Sequence, residues 1–294
     1  MISRNLFFSN FQINYFDYKQ GSLRFLLDNY SKVGLDKSIL EYKDKDYITA
    51  IKSDIRQTYF QAIETVFEVF FALLPDKKRK FTNRVIEKIT LSELPYLKIR
   101  DIAQNQNSLD FLDSELRFPG NEVLTLGEYV FYYGLNKRED LRTDFLKSLE
   151  AIKYALWILA NEFSDRKEYN SYKHGLRIFP ALQKFAICET GTMKEQLSFD
   201  LDGSMTFFSF DNKTKEVTYT TKLFDSERDI RMTSICSALI WNMIKFRDVV
   251  FNKEKKDKDY QFAILIFEKE QIAEATKTDV SIQNFKYSIK PENN

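Results

Sequence analysis

The stretch 140–177, DLRTDFLKSLEAIKYALWILANEFSDRKEYNSYKHGLR, decides how the chain folds and also carries its most informative polar segment. In its first part Leu141, Phe145, Leu149, Ile152, Leu156, Leu159 and Phe163 recur at steps of three and four. Residues so spaced share one face of an α-helix, which predicts an amphipathic helix from Asp140 to Phe163. Apolar character then stops, and SDRKEYNSYKHGLR remains polar until Ile178.

Upstream, Ile48, Ile51, Ile55, Tyr59, Ile63, Val66, Phe70 and Leu73 form a second stripe, predicting a helix from Asp46 to Leu74 that Pro75 and the charged DKKRK run terminate. Shorter helices are expected at Asn83–Ile89, Leu91–Gln104 and Thr125–Leu135, with a loop at 105–121, where Asn, Ser, Pro and Gly gather. Downstream the period falls to two. Between Ala181 and Leu223 the run LSFDLDGSMTFFSFDNKTKEVTYTTKLF carries an Asp202-Gly203 hairpin signal and a second turn at DNKTKE, and reads as a small antiparallel β meander.

Helix returns at Ser226–Phe251, with Asp225 as N-cap, Glu227 and Asp229 in the first turn, and an apolar stripe of Met232, Ile235, Leu239, Met243, Phe246 and Val250. KEKKDKD reads as a solvated linker, Gln261–Glu268 as strand or helix, and SIQNFKYSI as an edge strand. The expected organisation is an N-terminal segment (1–45), a helical bundle (46–180), the meander (181–223), and a closing helix with its tail (224–294). Together they read as one compact domain. The fold class is α+β with helix dominant: a helical bundle with the meander inserted before the last long helix.

Composition narrows the function classes. The chain has 294 residues, 44% of them hydrophobic, enough for a proper core. Phe (27) and Tyr (16) are abundant while Gly (8) and Pro (5) are scarce, which favours long uninterrupted helices. Lys plus Arg (44) balances Asp plus Glu (43), so no global charge demands nucleic acid or an acidic membrane. The first residues lack the smooth apolar run of a signal peptide, and the apolar run Val66–Leu74 is too short to span a bilayer. A cytoplasmic protein without a membrane partner is the expectation. Cys188 and Cys236 fit no metal or redox spacing and read as buried free thiols.

No phosphate-loop or dinucleotide-binding glycine pattern occurs, and one histidine without a cysteine pair argues against structural zinc. The Asp200, Asp202, Gly203 group fits a hairpin turn better than a calcium loop. No metal or cofactor is called for.

That leaves His174, the chain's single histidine, a side chain that titrates near neutral pH and so suits proton transfer. If its segment is helical, spacings of three, four and seven place Lys167, Asn170, His174 and Arg177 on one face. Two cations, an amide and an imidazole make a phosphate-binding or phosphodiester-cleaving surface. His174, Asn170 and Lys167 are the candidate catalytic residues, and Arg166, Lys173 and Arg177 the candidate nucleic-acid contacts. The competing reading makes Gly175 a helix stop and places His174 beside the last carbonyls, a structural role. The aromatics Phe207, Phe208 and Phe210 suit either base stacking or packing of the sheet onto helices.

Asn170 to Gly175, NSYKHG, resembles the Asn-x-x-x-His-Gly part of the R-x(4–6)-H signature of HEPN domains, helical bundles in which that motif sits near the start of a helix. The resemblance implies metal-independent RNA cleavage across a homodimer interface, commonly in phage defence or toxin–antitoxin systems. This chain departs from the signature at the arginine. With four intervening residues that position is Tyr169, and with six it is Lys167, which keeps the charge but lacks the planar fork. The alternative expectation is a degenerate, non-catalytic module that binds protein.

Overall fold

A computed structural model describes residues 4–33, 43–75, 85–91, 96–117, 123–135, 138–164, 166–173, 178–179, 184–192, 194–200, 204–223, 225–252, 261–278 and 285–289. The fold is α+β and helix-dominant. Its elements run α1 (Arg4–Asn10), α2 (Tyr15–Asp28), α3 (Asp44–Leu73), α4 (Val85–Leu91) and α5 (Tyr96–Gln104), then β1 (Glu115–Arg117), β2 (Val123–Thr125), α6 (Leu126–Phe131), α7 (Arg142–Phe163) and α8 (Arg166–Lys173). There follow β3 (Ile178–Phe179), β4 (Lys184–Cys188), β5 (Glu195–Asp200), β6 (Ser204–Asp211), β7 (Glu216–Leu223), α9 (Ser226–Phe251), α10 (Lys269–Thr276) and β8 (Phe285–Ile289). Among the described residues no helix is long and apolar enough to cross a membrane.

Chain packing divides the molecule into two units. The first comprises Met1–Tyr18, Phe60–Ser164 and Arg231–Thr276. Its core is built from the stripes that define the long helices. Ile63, Val66 and Phe70 of α3, Leu149, Ile152 and Leu156 of α7, and Leu239 and Met243 of α9 are all buried. Phe70 stacks on Phe131, and Tyr132 on Phe145. Val250 departs from the expected α9 stripe: it is 41% exposed, while Asp248 and Asn252 in the same turn are buried.

The segment expected as a loop at 105–121 is ordered in its described part. Gln106–Asp113 forms a 3₁₀ helix, Asn105 caps it by accepting from the backbone N–H of Asn107, and β1 pairs with β2. Leu109 and Leu112 are buried three residues apart, the 3₁₀ repeat, which polar neighbours hide from an α-helical periodicity search. The helix expected at Thr125–Leu135 is shorter. Thr125 caps it through a capping box with Glu128, and α6 ends at Phe131.

Gly134 follows with φ +82, and a Cβ placed there would collide with Cγ2 of Val250. Gly134→Ala is expected to cost about 2 kcal/mol through left-handed backbone strain and the clash. Thermal unfolding of Gly134→Ala and of the pair with Val250→Ala checks this. The pair should recover the steric share and leave the backbone share.

Further on, Gln261–Glu268, expected as strand or helix, is neither. Trp241 Nε1 donates to its Ala263 carbonyl, and Phe267 N–H donates to Ser148 Oγ. The helix α10 after it was not expected from the sequence.

The second unit comprises Lys19–Tyr59, Asp165–Ile230 and Lys277–Asn294. The strands expected at 181–223 are present and antiparallel, but they fall in two sheets. β4 pairs with β5, while β3, β6, β7 and β8 form a four-stranded sheet in the order β3-β6-β7-β8. The Asp202-Gly203 turn lies outside the described residues, as does the KEKKDKD linker. The DNKTKE turn is as expected: Asp211 accepts from the backbone N–H groups of Lys213 and Thr214 through its side chain, and Lys215 N–H donates to the Asp211 carbonyl. The edge strand β8 pairs along β7. At the start of α9, Asp225 caps by accepting from Arg228 N–H at 2.9 Å. Both cysteines are free, and Cys236 is buried as expected, but Cys188 at the end of β4 is only half-buried.

Candidate functional site around helix α8

Arg166–Lys173 of the polar run after α7 form a helix of their own, α8, rather than a frayed end of α7. Its inward residues are Glu168, Tyr169, Ser171 and Tyr172, all buried, while Asn170 is half-buried. A buried glutamate at the head of a short helix requires compensation, because an isolated carboxylate is costly to remove from water. Here it is supplied by cations from two other elements of the same unit.

Glu168 is 1% exposed. Its Oε1 accepts from Arg56 Nε of α3 at 3.0 Å, and its Oε2 accepts from Lys222 Nζ of β7. Arg56 continues the chain of charge: its Nη1 donates to Asp229 Oδ1 of α9 at 2.7 Å, and Arg228 Nη1 lies 3.4 Å from the same oxygen. The Arg56 guanidinium also sits 5.6 Å from the centre of the Tyr59 ring, and Lys222 Nζ 5.8 Å from that of Phe207. Strand register explains the lysine's direction. Lys222 pairs with Met205 and Thr220 with Phe207, so Lys222 and Phe207 lie on one face of the sheet.

The electrostatics follow from this geometry. Burial alone would raise the Glu168 pKa, but the charges of Arg56 and Lys222 outweigh it and hold the carboxyl below its usual range. Burial pushes the Tyr172 phenol well above its ordinary value, and the adjacent negative Glu168 adds to the effect. Tyr172 therefore stays a neutral phenol beside an ionised glutamate.

The six residues singled out by sequence fall unevenly on this frame. Arg166, Lys167, Asn170 and Lys173 are positions of α8, with 167 and 170 one turn apart. His174 and Arg177 lie outside the described residues. The group that sequence reasoning missed is Arg56, Glu168, Lys222 and Asp229. Its signal was slight: a charged residue, Arg56, immediately follows the stripe residue Ile55, and Glu168 and Tyr172 share a helical face at a spacing of four. Among the described residues no three His, Cys, Asp or Glu side chains come together as a metal site.

A helix-dominant α+β chain with a clamped short helix is thus the class that fold and geometry define. No family model, no curated protein and no solved structure matches it.

Proposed function

We propose that the chain is a HEPN-like RNA-acting protein, a metal-independent endoribonuclease that works as a homodimer in phage defence or a toxin–antitoxin system. What supports the reading, beside the NSYKHG resemblance, is the burial pattern of α8. Glu168, Tyr169, Ser171 and Tyr172 point inward, and Asn170 is the residue left half-accessible between them. Asn170 opens the NSYKHG segment, and the clamp on Glu168 fixes the helix from which that segment continues.

In this reading the RNA 2′-hydroxyl attacks the neighbouring phosphate, its P–O5′ bond breaks to leave a 2′,3′-cyclic phosphate and a 5′-hydroxyl, and His174 acts as the general acid or base that takes the proton from the 2′-hydroxyl or gives one to the departing 5′-oxygen. Lys167 and Arg177 hold the phosphate, Asn170 orients the site through hydrogen bonds, and Arg166 and Lys173 follow the strand's backbone.

The test is incubation of the wild type and His174→Ala with total RNA in EDTA. The wild type is expected to cut, and the variant to lose about 100-fold or more of the rate, the lower share that general acid–base catalysis supplies. Undiminished cleavage by the variant removes this mechanism.

A second reading rests on Tyr169. It occupies the arginine position of the four-residue spacing and is 4% exposed, so it brings no charge to a substrate. On that reading the chain is a degenerate HEPN module that binds a protein partner. Absence of cleavage by either folded protein selects it.

A further inference from the structure

The four-stranded sheet has one face whose character changes along its length. Thr206 and Thr221 are buried at one end and hydrogen-bond to each other at 2.7 Å. Two and four residues further along β6 the same face carries Phe208 and Phe210, since side chains alternate between faces. Phe208 is half-buried and pairs with Tyr219 of β7, their rings 6.4 Å apart and tilted by 45°. Phe210 lies at the tip and is 51% exposed. Register carries the row onward: Tyr219 pairs with position 287 and Val217 with position 289 of β8.

A lysine completes the arrangement. Lys215 Nζ stands 5.9 Å from the centre of the Phe210 ring. Its backbone has φ 57, the left-handed region in which glycine or asparagine is easier. A residue that strains the turn it sits in holds an ammonium over a ring that is 51% exposed. The carboxylate of Asp211, close by in sequence, is occupied by the turn's own N–H groups.

We propose that Phe208, Phe210, Tyr219 and Lys215 form a platform that stacks the bases of single-stranded RNA while the ammonium meets its phosphates. A single strand carries flat π-faces beside negative charge, and this hairpin sets three rings beside one cation; an aliphatic protein surface would need neither feature. Duplex RNA offers no free base faces and is not the ligand. The inference rests on the RNA-acting reading above and names the substrate as single-stranded.

Binding of a short labelled oligouridine by fluorescence anisotropy tests it, with the full chain in the His174→Ala background so that the RNA stays whole. Phe210→Ala is expected to weaken binding roughly 5- to 100-fold, the loss of one stacked base, and Phe210→Trp to retain it. Lys215→Gly relieves the turn's backbone yet removes the charge, so it should weaken binding, and most at low salt. If the hairpin matters only for folding, Lys215→Gly binds as well as its parent. Unchanged affinity in Phe210→Ala and Lys215→Gly, or equal competition by duplex RNA, overturns the platform. If the wild type still cuts RNA in that case, the proposed function survives without it. Failure of the parent to bind any RNA overturns both.

Discussion

Replacing Arg247 with Met is expected to cost the first unit about 3–5 kcal/mol, the sum of leaving its buried carbonyl acceptors without a donor. Arg247 is 2% exposed, and among the described residues no carboxylate pairs with it. Its charge is met by backbone instead. Nη1 donates to the carbonyls of Val130 and Met243, both at 2.8 Å, and Nη2 donates to that of Tyr129 at 2.6 Å. The Tyr129 and Val130 carbonyls belong to the last turn of α6, where helical partners run out and the helix dipole is negative. The rings of Tyr129 and Tyr133 lie 5.3 and 4.8 Å from the guanidinium carbon. Burial pushes the Arg247 pKa down to about 10, against the pull of both tyrosines, so the group is still charged at neutral pH. Met fills the volume of the stem but leaves buried carbonyls unpaired, at about 1–3 kcal/mol each. Arg247→Lys should also be costly, because a single ammonium lacks the fork that reaches both Tyr129 and Val130. Both tryptophans, Trp157 and Trp241, lie in this unit, so their fluorescence during urea unfolding reads the change. A loss below about 1 kcal/mol for Arg247→Met would show that the charge and its carbonyls nearly cancel.

Where periodicity was long, the fold was legible in the sequence. α3, α7 and α9 carry apolar stripes over many turns, and each begins and ends within about two residues of its expected bounds. The Asp225 cap and the β8 edge strand were legible too, because each rests on chemistry local to a few residues. The 3₁₀ helix at Gln106–Asp113 was not, since two leucines at a spacing of three are too few to stand out from polar neighbours. Nor was the division of the strands between two sheets. Alternation identifies a strand but not its partner, and β8 reaches β7 from beyond α9 and α10.

The candidate site was legible only as a polar segment. Asn170 and the lysine and arginine positions of α8 stood out as a polar run. The charges that hold α8 did not, because Arg56 precedes Glu168 by 112 residues and Asp229 follows Arg56 by 173. Asp229 read simply as an acid suited to a helix's first turn, which it also is. An ion pair between distant elements leaves no periodic trace. A charged residue beside an apolar stripe is its only mark, and exposed residues produce the same mark far more often.

Glu168→Gln should therefore expose what the clamp contributes. The amide keeps the shape and one acceptor for Arg56, but it removes the negative charge shared by Arg56 and Lys222 and turns a donor toward one of them. Arg56 keeps its ion pair with Asp229, but the loss of the charge that Glu168 presents to Arg56 and Lys222 is expected to cost about 3 kcal/mol or more. The pH dependence gives a separate signature. The folded-state pKa of Glu168 lies below the ordinary 4.5, so its contribution is complete above that value and disappears as the pH falls through the lower folded value. The wild type should lose stability steeply across that acid window, and Glu168→Gln, already without the contribution, should show a flatter limb. Amide hydrogen exchange in α8, followed from neutral to acid pH, measures both effects where they arise. Equal protection of α8 in the two proteins at neutral pH, with parallel acid limbs, would mean that helix packing through Tyr169 and Tyr172 holds α8 without the clamp. Faster exchange confined to the variant would instead assign to Glu168 the fixed position from which the NSYKHG segment continues.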